Sequence, residues 1–165
     1  MYLSKKQHDK LRTLVMDFEI PYRSYIARTI VEKYDTNESF KEAFLAKASA
    51  QKYASIPSLL SKLETIKNKL THVYDLLKNS NEIIGKKEVE NDINIPYVWQ
   101  LNVLAVLFDD VFSQMIMRFY NAEAFWNQAE HFAYVRNKLS HPGCKTLEKE
   151  DLTKVINFFL TMNSF

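Results

Sequence analysis

Two glycines in 165 residues leave this chain little from which to build tight turns. Hairpins and short β-turns depend on Gly, Pro and Asn-Gly or Asp-Gly pairs, because these supply the positive or fixed φ that such turns require. The chain has four prolines and neither pair. A sheet protein of this length needs many such turns, so an all-α fold is predicted. Hydrophobic residues make up 47% and charged residues 25%, as in ordinary globular proteins. The length suits one domain, residues 1–165, with a core of its own. The expected architecture is a helical bundle of about five to six helices.

Apolar spacing assigns the helices. A first, over 4–34, carries Leu11, Leu14, Val15, Phe18 and Ile20, then a break or kink at Pro21, then Tyr22, Tyr25, Ile26, Ile30 and Val31. Thr36 or Asn37 is a candidate N-cap for a second, over 38–53. Ser55 is a candidate cap for a third, over 57–78, with Pro57 in its first turn and an apolar stripe from Leu59 to Leu77. Residues 79–95 read as a polar linker, mobile or only partly helical. Pro96 opens a fourth helix running to about Tyr120. It is apolar around nearly its whole circumference, as expected in the middle of a bundle or at an oligomer interface, with Asp109 and Asp110 interrupting it. Asn121 caps a fifth over 122–141, and Thr146 caps a sixth over 147–163.

A net charge of +2 gives no global nucleic-acid footprint, so any RNA binding has to rest on a local patch. Cys144 is the only cysteine, which excludes an internal disulfide and a Cys-based metal cluster. No His/Asp/Glu spacing suggests a metal site, and no cofactor is expected. The first ten residues lack the apolar core of a secretory signal, and no apolar run approaches the ~20 residues that span a bilayer. A cytoplasmic protein without membrane association is the expectation.

Chemistry concentrates in Tyr134-Val135-Arg136-Asn137-Lys138-Leu139-Ser140-His141-Pro142-Gly143. Pro142 disfavours helical geometry at His141, and Gly143 suits a left-handed cap, so the helix should end at the histidine. Phe125, Phe132 and Leu139 recur every seven residues and should face the core. A second stripe, Trp126, Glu130, Tyr134, Asn137 and His141, mixes aromatic and polar groups. Arg136 and His141 lie about 140° apart on an ideal helix, but arginine is long and the helix unwinds at His141. Both heads are expected in one cleft. The partial negative charge of a helix C-terminus favours the guanidinium and the protonated imidazole.

Arg136-Asn137-Lys138-Leu139-Ser140-His141 resembles the R-x4-6-H motif of the HEPN superfamily. The setting is similar as well: an all-helical chain, the motif at the end of the penultimate helix, Pro-Gly behind it and one more helix after. The resemblance implies a metal-independent endoribonuclease, of the toxin or anti-viral defence type, acting as a homodimer whose two motifs build one composite cleft. It implies catalytic roles for Arg136, Asn137 and His141. His141 would move protons, Arg136 would stabilise the crowded phosphate, and Asn137 would orient His141 or bind a phosphate oxygen. Cleavage through the ribose 2′-hydroxyl would leave a 2′,3′-cyclic phosphate. Lys138 and Lys145 are candidates for RNA backbone contacts, and Tyr134 and Trp126 for base stacking or, at least equally, for packing in a dimer. One HEPN toxin subgroup carries a tyrosine two residues after the histidine, modified by a partner enzyme; here that position is Gly143. An inhibitory or regulatory protein partner of another kind stays open. The alternative is a non-catalytic HEPN-like or plain helical module that binds a nucleotide, RNA or a protein, which the near-neutral charge and the lack of a lysine-rich stripe leave open. His8 and His72 sit among polar neighbours, and His131 points away from His141.

Overall fold

In the computed structural model, described over residues 1–50, 53–82, 95–141 and 146–163, the chain is all-helical. Eight helices run in order among the described residues: α1 (Lys5–Lys33), α2 (Asn37–Ala48), α3 (Pro57–Lys67), α4 (Leu70–Glu82), α5 (Val98–Leu107), α6 (Ser113–Met117), α7 (Ala122–Leu139) and α8 (Lys149–Met162). Of the expected polar linker, residues 79–82 continue α4, and residues 83–94 lie outside the described residues.

The caps explain most of the boundaries. The Ser4 hydroxyl accepts from the Gln7 N–H, and the Gln7 side chain accepts from the Ser4 N–H, closing a capping box at the start of α1. Thr36 does the same for α2 with Ser39. Asn121 caps α7, its Oδ1 accepting from the Ala124 N–H at 2.8 Å. Glu148 stands at the N-cap of α8, where Thr146 was expected, and Asp151 accepts from its N–H. Ile56 takes the N-cap position expected for Ser55, with no side-chain cap, because the buried Ile56 side chain fixes the entry to α3.

Three expected helices are reshaped. α1 runs unbroken through Pro21, which is exposed on the solvent side while Phe18, Tyr22 and Ile26 hold the opposite face in the core. The single helix expected over 57–78 divides at Asn68 and Lys69, so that α3 rests on α5 while α4 lies along α1. The helix expected from Pro96 to Tyr120 divides at the turn containing Asp109 and Asp110. There Asp110 pairs with Lys47 of α2 at 2.6 Å. The turn into α7 uses Tyr120 at φ 79°, almost wholly exposed, in a conformation that costs a non-glycine residue about 1–2 kcal/mol.

α5 is the central element. Apart from the half-covered Trp99, its residues are buried, including Gln100 and Asn102. It packs most heavily on α7 and also touches α1, α2 and α3. One cluster of buried residues draws on every helix, from Leu11, Phe40, Leu59 and Val73 to Leu101, Met115, Phe125 and Val155. Aromatic rings join α1, α7 and α8: Phe18 stacks on Phe159 at 4.2 Å, and Phe132 stacks on Phe158 at 5.4 Å.

Candidate functional site

The buried face of α7 comprises Phe125, Trp126, Ala129, Phe132, Val135 and Leu139. At 100° per residue Arg136 falls within that arc rather than beside it. A guanidinium directed toward a core needs a partner, and α1 supplies one. Arg136 Nε donates to Glu19 Oε1 at 2.7 Å; the Arg136 side chain is 20% exposed and that of Glu19 is 0% exposed. Arg23, one turn along α1, lies with Nη2 3.4 Å from the other carboxylate oxygen of Glu19. Toward the opposite end of α1, Arg12 donates through Nε and Nη2 to the Leu139 carbonyl at 3.4 and 3.3 Å, satisfying an end carbonyl of α7. Asp9 steadies Arg12 from one turn earlier at 3.1 Å.

These contacts form a polar seam between antiparallel stretches of α1 and α7. Asp9, Arg12, Glu19 and Arg23 share one stripe of α1, with Met16 between them, at spacings of three and four residues. Sequence reasoning missed this stripe. The available signal was the recurrence of charge at those spacings beside an apolar face, which usually marks a solvated helix edge.

The seam continues into the core. Tyr22 of α1 donates its hydroxyl proton to Asn102 Oδ1 at 2.8 Å, and Asn102 Nδ2 donates to the Ala129 carbonyl of α7 at 2.8 Å. Burial pushes the Tyr22 hydroxyl well above its ordinary pKa, so it stays a neutral donor.

On the other side of α7 an open groove of about 770 Å³ is lined by Lys62 and Thr65 of α3, Tyr97, Val98 and Trp99 at the start of α5, and Glu130, Ala133, Tyr134, Arg136 and Asn137 of α7. Three of the expected site residues, Tyr134, Arg136 and Asn137, therefore meet in one groove. Tyr97 and Tyr134 are 59% and 47% exposed, offering two accessible rings. Lys62 pairs with Glu130 at 2.9 Å, so groove and seam both hold cations matched by carboxylates.

His141 is exposed just past the end of α7 and is not among the groove-lining residues. The expectation that it shares one cleft with Arg136 is thus not met within this chain, because Arg136 turns toward α1 and the helix end carries His141 outward. Lys138 is half-buried, with Nζ 5.7 Å from the centre of the Tyr134 ring. Lys145, like Pro142, Gly143 and Cys144, lies outside the described residues. Trp126 is not available for base stacking. It is 1% exposed, donates from Nε1 to Ser58 Oγ at 2.9 Å and lies under Lys62. The aromatic and polar stripe expected along α7 is therefore covered by α3 at Trp126 and Glu130 and opens only from Tyr134 onward.

His131, set aside in the sequence, does have a partner. Its Nε2 lies 2.9 Å from Asp151 Oδ1 of α8. Desolvation raises the Asp151 carboxyl, but the Glu148 N–H and the His131 ring outweigh it and hold the group below the ordinary carboxylate range. Near the same helix start, Leu3 donates to the Leu147 carbonyl at 2.8 Å and Tyr2 bridges Glu148, so the chain's first residues strap the segment that follows the motif.

Among the described residues no group of three or more His, Cys, Asp and Glu side chains could hold a metal ion. Nor is any described helix long and apolar enough to cross a membrane. No family model, curated protein or solved structure matches this chain.

Proposed function

We propose that this chain is a HEPN-like, metal-independent endoribonuclease of the toxin or anti-viral defence type. In this reading it acts in the cytoplasm as a homodimer, and an inhibitory or regulatory protein can control it. The observation that carries the reading is the anchored guanidinium of Arg136. It stands at the edge of a groove that also holds Asn137 and Tyr134, on the last turns of a helix whose end exposes His141.

The groove supports single-stranded RNA as the ligand, because exposed aromatic rings stack bases regardless of sequence. His141 and Arg136 diverge within one copy, so a composite cleft in which His141 of the second copy approaches the groove would complete the site. In the reaction the ribose 2′-hydroxyl loses its proton to His141 of the second copy and attacks the adjacent phosphorus. Arg136 stabilises the charge on the phosphate oxygens. The bond from phosphorus to the 5′-oxygen breaks, and the leaving oxygen takes up a proton from water while the imidazolium returns its proton to solvent. The products are a 2′,3′-cyclic phosphate and a 5′-hydroxyl. Asn137 orients the phosphate, while Lys138 and Lys145 contact the RNA backbone.

A second reading, a non-catalytic helical module that binds RNA, a nucleotide or a protein, draws support from the same ion pair. An arginine matched by a fully buried glutamate can serve only to join two helices. Incubating the purified chain with mixed RNA in EDTA separates the two. Cleavage that persists in EDTA and falls about 100- to 1,000-fold in both Arg136→Ala and His141→Ala is the expected outcome. A folded dimer that leaves RNA intact would overturn the nuclease reading.

A further inference from the structure

Glu19 has no exposed surface, and a carboxylate withdrawn from water costs several kcal/mol unless it is paired and hydrogen-bonded. Replacing a buried ion pair with apolar side chains of similar volume is often neutral or stabilising, so joining α1 to α7 does not in itself call for charges here. The form of the contact is informative. Glu19 accepts from Nε, the guanidinium nitrogen next to the aliphatic stem, and a short bond at that atom fixes both the last side-chain torsion and the plane of the guanidinium. Glu19 is itself held from its own helix, where Arg23 faces the second oxygen across one turn. Arg12 then ties the end of α7 to α1, so the backbone that carries Arg136 is held as well as its head. The chain of contacts runs Arg23, Glu19, Arg136 and ends at the groove beside Tyr134 and Asn137.

We propose that Glu19 is a positioning residue for Arg136, setting the guanidinium plane against the RNA phosphate; this rests on the nuclease reading above. Glu19 touches no substrate and acts through Arg136 alone. Removing its charge while keeping its shape therefore lets the guanidinium rotate, which weakens stabilisation of the transition state more than binding of the ground state.

The test uses the full chain and a fluorescently labelled single-stranded RNA in EDTA, comparing wild type, Glu19→Gln, Arg136→Ala and the double variant, each checked by its thermal melt. Glu19→Gln is expected to lower kcat by about 10- to 100-fold with KM changed by no more than about twofold. The double variant is expected to be no slower than Arg136→Ala alone, because Glu19 has nothing left to position. Multiplying effects in the double variant, or a Glu19→Gln enzyme within about twofold of wild type, would overturn the proposal. Should Glu19→Gln fail to fold, Glu19→Asp takes its place, keeping the charge and drawing it back by one methylene. If neither folds, Glu19 is a structural charge and the proposal fails. A wild-type chain that does not cleave overturns the nuclease reading itself, an outcome distinct from cleavage that ignores Glu19.

Discussion

Several buried polar side chains in this protein meet partners that lie far away in the sequence. Glu19 meets Arg136, Tyr22 meets Asn102, and Asn102 reaches Ala129. Each contact satisfies a group whose burial alone would be unfavourable, and together they fix the register of α1 against α5 and α7. The His131–Asp151 pair works at a lower level of burial and has a definite pH dependence. The Asp151 pKa is lowered in the folded chain, with the Glu148 N–H, His131 and Lys154 as the lowering influences. Its contribution to stability is therefore complete above the unfolded carboxylate value of about 3.9 and is lost as pH falls through the lower, folded value. The thermal midpoint of wild type should exceed that of Asp151→Asn near neutral pH, and the gap should narrow as pH drops below about 4. A gap that stays constant from pH 6 to about pH 2.5 would contradict this.

Helix faces were far more legible than helix ends. The apolar run from Val98 to Phe119 predicted one helix apolar around nearly its whole circumference, and the first part of it, α5, is buried in that way. The stripe Leu152, Val155, Ile156, Phe158, Phe159 and Met162 predicted the inner face of α8, and all of it but the exposed Ile156 lies in or against the core. Phe158 is its anchor, with ring centres of Phe18, Phe119, Phe125 and Phe132 between 5.4 and 6.3 Å away. Phe158→Ala should cost about 3–5 kcal/mol in urea denaturation, and a loss under about 1 kcal/mol would mean that the cluster repacks. Divisions inside helices were not legible. Nothing in Asn68-Lys69 announces a break as Gly or Pro would, and Tyr120 occupies a positive φ that a sequence reader assigns to glycine. The direction of Arg136 was legible in principle, since its angle falls among Phe125, Ala129 and Phe132, but the charge of the side chain argued for solvent. Only the position of Glu19 on α1 resolves that conflict, and periodicity within α7 carries no information about α1. Asn137 and Tyr134, on the outer arc, fall where the stripe predicted.

Across the whole molecule, the contacts that define the seam are among the longest in sequence: 127 residues separate Arg12 from Leu139, and 117 separate Glu19 from Arg136. Residues near one end of the chain are completed by residues near the other, and α5 between them depends on α7 for cover. A fragment of residues 1–121 should therefore be poorly soluble and melt without a cooperative transition, which size-exclusion chromatography and circular dichroism would register. A monodisperse fragment with a sharp melt would show that α1 to α6 form a core alone. The long separation between Glu19 and Arg136 also bears on timing during synthesis. At translation rates of about 5–20 residues per second, Glu19 waits on the order of ten seconds for its arginine to be made. Until then the ribosome carries a chain whose guanidinium is absent or unseated. During that interval the Glu19 carboxylate has Arg23, one turn along its own helix, as a cationic neighbour.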